Sequence, residues 1–74
     1  MLDVNVKTQL AILVGLEIGR IGKAPTEQQR TDLRTQMKAY LLDRQIWPSA
    51  RIMRQVNRLI DEAVAHLESK KARR

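Results

Sequence analysis

Apolar residues recur along this chain at helical spacing in three stretches, separated by two clusters of turn residues, Gly22-Lys23-Ala24-Pro25 and Ile46-Trp47-Pro48-Ser49. The first stretch, from about Asn5 to Arg20, sets Val6, Leu10, Leu13, Val14, Leu16, Ile18 and Ile21 around most of a helical wheel. A helix apolar on most sides is expected to be covered on most sides. The second opens at Thr26-Glu27-Gln28-Gln29, a capping box in which the Thr26 hydroxyl accepts from the Gln29 backbone and the Gln29 side chain reaches back. Its buried stripe is Leu33, Met37, Tyr40 and Leu41, while Leu42 points away and is expected to pack beneath the turn at Trp47, with a place in an interface as the alternative. Pro48 disfavours helical geometry at Trp47 but suits a first helical turn, so the third helix is expected from Pro48 or Ser49 to about Ser69. Ile52, Val56, Leu59, Ile60, Ala63 and Leu67 line one of its faces, with Met53 and Val64 at the edge. The pattern predicts an all-α, three-helix domain over residues 1–69 and a basic tail over 70–74 that frays.

The first residues also fit a second period. Leu2, Val4 and Val6 alternate with Asp3, Asn5 and Lys7 as in a short strand. A strand, two helices and a basic balance would resemble a ribbon-helix-helix DNA-binding dimer. That family carries apolar residues early in its second helix, where this chain has Glu27-Gln28-Gln29-Arg30, and it has no long third helix.

A chain of 74 residues buries a thin core, and small domains usually add a disulfide, a metal or a second subunit. There is no cysteine, and one histidine is too few for a zinc site, so no metal or cofactor is expected. A second subunit is the remaining device, which makes a homodimer the expected state. Ala11, Gly15 and Gly19 put small residues along one side of helix 1, and helix-interior glycine is disfavoured unless backbones approach closely. The expected seam is Leu10, Ala11, Val14, Gly15, Ile18 and Gly19, with close packing inside the chain as the competing explanation of the glycines. Glu17, among apolar neighbours, must pair with a cation or reach solvent. The absence of cysteine, of a basic leader and of a long apolar run points to a cytoplasmic protein that does not enter a membrane.

Catalysis finds little support. His66 is the single imidazole, with Glu62 one turn earlier as its expected neighbour, and no nucleophile, orienting group or phosphate-binding glycine loop accompanies it. Charge is more informative: the net +6 divides as 0, +2 and +4 over residues 1–22, 23–45 and 46–74. Within the last segment Arg51, Arg54 and Arg58 advance by three and four residues and form one stripe opposite the apolar face, with Gln55 and Asn57 alongside. Such side chains reach phosphates and base edges, and cations near a helix N-terminus oppose the macrodipole, so folding alone does not call for them there. The ordinary alternative is a solvated face in which Arg58 pairs with Asp61 or Glu62.

Helix 2, the turn and helix 3, from about Met37 to Leu59, resemble a helix-turn-helix unit with helix 3 as its reading helix, although the usual turn glycine is missing. One Trp and one Tyr are too few for base stacking, which favours duplex DNA over single strands. The expected function is a small, non-enzymatic DNA-binding regulator that uses Arg51, Arg54, Gln55, Asn57 and Arg58 together with Lys70, Lys71, Arg73 and Arg74. The alternative is a helical adaptor or inhibitor docking on an acidic or apolar protein surface.

Overall fold

A computed structural model describes residues 3–72, with side chains through Lys70. The chain forms three helices, α1 (Val4–Ile21), α2 (Glu27–Asp43) and α3 (Ala50–Ala72), and no strand occurs among the described residues. Each helix begins on a polar side chain that satisfies an otherwise orphaned backbone N–H. Asp3 accepts from Asn5 at 3.0 Å. Thr26 accepts from Gln29 at 3.1 Å while Gln29 accepts from the Thr26 N–H at 2.9 Å, the expected capping box. Ser49 accepts from Ile52 at 3.3 Å.

Helix ends follow equally local rules. Gly22, at φ 76°, closes α1 by donating its N–H to Ile18 at 2.9 Å. At the end of α2, Gln45 adopts φ 62°, its N–H reaches Leu42 at 2.9 Å, and the Ile46 N–H reaches Leu41 at 2.8 Å. This is the paired hydrogen-bond pattern of a Schellman turn, built on a glutamine where glycine is usual.

The alternating residues 4–7 are the first turn of α1, because Asp3 caps a helix there; the strand expectation is overturned for them, and Leu2 lies outside the described residues. α3 continues beyond Ser69 to Ala72, so the basic tail is helical as far as it is described. Residues 44–49 form the connection from α2 to α3, longer than the three or four residues of a helix-turn-helix turn.

The core takes Leu10, Val14 and Ile18 from α1, Leu33, Met37 and Leu41 from α2, and Ile52, Val56, Leu59, Ile60 and Val64 from α3. On α1 and α2 the spacing is strictly four, which gives narrow buried stripes and leaves the opposite faces to solvent. α1 makes its principal contact with α3. The two run in the same direction, since Lys7 shares a cleft with the start of α3 and Gly19 shares a groove with Lys70. α2 packs more lightly on both, and Arg30 near its start bonds Asp61 of α3 at 3.0 Å.

Three expectations about side chains change. Leu10, Val14 and Ile18 are only 0%, 1% and 2% exposed in the single chain, so they belong to its core and not to a seam between copies. Leu42 is 51% exposed and Trp47 76%, so Leu42 does not pack beneath the turn; the Schellman geometry instead folds Ile46 back against the core. Finally, a Cβ added at Gly15 or Gly19 would meet nothing within 4 Å, so close packing inside the chain does not explain the glycines.

Candidate nucleic-acid interface

The N-terminal turns of α3 turn their apolar face into the core, which forces residues at the complementary spacing outward. Arg51, Arg54 and Arg58 are all exposed and line one cleft of about 530 Å³ together with Gln55, Leu59 and Glu62. Lys7, from the first turns of α1, completes the lining. Four cations and one carboxylate therefore share a concave surface, and among the described residues none of the four cations makes an ion pair.

The alternative pairing of Arg58 with Asp61 or Glu62 does not occur among the described residues. Asp61 is taken by Arg30 of α2, at 3.0 Å, and Glu62 lines the cleft without an ion pair. Glu17, the carboxylate that needed a cation among apolar neighbours, finds it in Arg20 one turn later, and that bond, with the Arg20 charge, holds its carboxyl below the usual carboxylate range.

The other candidates are dispersed. Asn57 is half-buried on the flank away from the cleft, and its Oδ1 is buried with no hydrogen-bond partner among the described residues. Lys70 is exposed more than two turns beyond the cleft. The side chains of Lys71, Arg73 and Arg74 lie outside the described residues. Lys7 was not legible as a member of the site, because only the parallel packing of α1 on α3 brings it there.

The cleft continues along the same side of the molecule. Leu59 and Glu62 also line a second groove, of about 330 Å³, whose walls are Ala11, Gly15, Ile18 and Gly19 of α1 and Ala63, His66, Leu67 and Lys70 of α3. Its width follows from the missing side chains at Gly15 and Gly19. His66 stands exposed there with Glu62 on the same wall. No group of three or more metal-ligating side chains occurs among the described residues, and no described helix is long and apolar enough to cross a membrane.

No family model matches the chain, no curated protein is detectably similar to it, and no solved structure matches its fold.

Proposed function

We propose that this chain is a non-enzymatic, duplex-DNA-binding regulator whose contact surface is the cleft formed by Lys7, Arg51, Arg54 and Arg58, and that two copies act together. The observation that carries the reading is the convergence on one surface of four cations that make no ion pair among the described residues, in a chain carrying +6. Unpaired guanidinium groups keep their full hydrogen-bonding capacity for phosphate, and clustering them opposes folding electrostatically, which a polyanionic partner would reverse. The reading does not depend on a helix-turn-helix crossing. α3 presents the stripe along its first turns, where side chains of a groove-bound helix meet phosphates and base edges. Pairing of copies is supported by the apolar side chains that α1 leaves uncovered.

The test is a titration of duplex fragments at several salt concentrations. Each phosphate contact releases condensed counterions, so Arg51→Ala, Arg54→Ala, Arg58→Ala and Lys7→Ala should each weaken binding and flatten the log–log salt slope by about 1. Arg58→Ala should match its neighbours, since no carboxylate among the described residues pairs with Arg58. Thermal stability should not fall and should rise slightly, because all four side chains are exposed and each removal relieves repulsion within the cluster. Affinity no tighter than about 10⁻⁴ to 10⁻⁶ M on every fragment, the range of non-specific binding at physiological salt, would overturn the reading.

A second reading is favoured by one observation, the continuity of the basic cleft with the apolar groove through Leu59 and Glu62. An amphipathic helix of an acidic protein would set carboxylates on the arginines and apolar residues over Gly15 and Gly19. Binding to such a peptide that Arg54→Ala abolishes, with weak and sequence-blind DNA binding, is the result that would select it.

A further inference from the structure

The outer face of α1 is apolar, uncovered and free of charge. Ile12 is 49% exposed and Leu16 68%, and beside them lie exposed Ala11, Gly15 and Gly19, with Asn5, Thr8 and Gln9 filling the rest of the arc. No ionised residue of α1 falls within this arc, although charged residues make up 30% of the chain; Glu62, His66 and Lys70 of α3 border it where they share a groove with Ala11, Gly15 and Gly19. The outer faces of α2 and α3 carry charges of both signs, among them Asp32, Lys38, Arg54 and Glu62. The accessible surface of 5459 Å² exceeds the roughly 4,700 Å² expected of a folded monomer of 8.6 kDa.

We infer that the outer face of α1 packs against the same face of a second copy, around a twofold axis, with Ile12 and Leu16 of each copy set over Gly15 and Gly19 of the other. This rests on the paired-copy part of the proposed function and is independent of DNA. Three features select a second copy. A twofold seam needs a self-complementary surface, and large side chains beside bare backbone on one helix face provide it. Two molecules of charge +6 repel, and this face is where they meet without opposing charges from α1 itself, with Glu62 and Lys70 of α3, one of each sign, at its border. A Cβ at Gly15 or Gly19 would meet nothing of its own chain within 4 Å, so a close helix across the seam is what their missing side chains would serve. The seam shares Ala11, Gly15 and Gly19 with the earlier expectation and exchanges the buried Leu10, Val14 and Ile18 for the exposed Ile12 and Leu16.

Sedimentation equilibrium of the full chain, from micromolar to hundreds of micromolar and without DNA, tests it. Wild type should approach twice 8.6 kDa. Leu16→Glu should raise the dissociation constant by at least about tenfold, since it buries a carboxylate in the seam. Circular dichroism of that variant should stay helical, because Leu16 is exposed in the single chain. Gly15→Ala and Gly19→Ala should raise the melting temperature of the dilute monomer, having open space and better helix propensity, yet weaken pairing. Leu42→Glu, at an exposed leucine on α2, should leave pairing unchanged. A wild type that stays at 8.6 kDa throughout would overturn the seam and the paired-copy reading together. A dimer that withstands both Leu16→Glu and Gly15→Ala would overturn the seam alone.

Discussion

Gln45 holds a left-handed backbone at φ 62°, a region in which a side chain with a Cβ is crowded by the following carbonyl. Its side chain is exposed and makes no hydrogen bond among the described residues, so nothing in its immediate surroundings offsets that crowding. Gln45→Gly should therefore stabilise the fold by about 1 kcal/mol, measured by urea or thermal unfolding. A loss of stability instead would show that the unfolded chain's greater freedom with glycine outweighs the relief of strain. The same residue explains why the end of α2 was hidden in the sequence. Glycine at the left-handed position would mark the turn locally, whereas Gln45 carries no such signal that Ile46, and not Leu42, folds back beneath it. The backbone makes the Schellman turn regardless, and Ile46 occupies that place.

Among the helices, α2 and α3 were the most legible and α1 the least. The capping box at Thr26 and the proline at Pro48 are local signals with local consequences, and both starts fall within two residues of expectation. For α1 the bounds fell within one residue of expectation, but cover on most sides did not follow, because the division of its apolar residues between core and surface depends on where two other helices lie, which no local pattern records. Leu10, Val14 and Ile18 meet those helices, whereas Ile12 and Leu16 do not. Local electrostatics within α1 can be tested directly. Arg20 bonds Glu17 and holds its carboxyl below the ordinary value of 4.5. A depressed folded pKa contributes stability that is present above the unfolded pKa and is lost as pH falls through the folded one. Glu17→Gln should accordingly show a small deficit in melting temperature at neutral pH that vanishes at pH values well below the carboxylate range. A deficit unchanged by acid would assign the effect to packing and not to the ion pair.

For the molecule as a whole, the same unpaired cations act on two equilibria with opposite sign. Lys7, Arg51, Arg54 and Arg58 repel one another across the cleft, and salt screens that repulsion over a Debye length of about 8 Å at physiological strength. Raising salt from low to physiological strength at fixed protein concentration should raise the melting temperature by a few degrees while it weakens binding to duplex DNA. A melting temperature that falls with salt would indicate that attractive pairs dominate the surface. The choice of optical probe matters for these measurements. The single indole, Trp47, is 76% exposed in the folded chain and stands four positions before Arg51. Its emission will already resemble that of indole in water, so unfolding moves it little and the far-ultraviolet helical signal must report stability. A macromolecule seated against the start of α3 would cover that ring, change its quenching by iodide or acrylamide, and so register occupancy of the cleft without any added label.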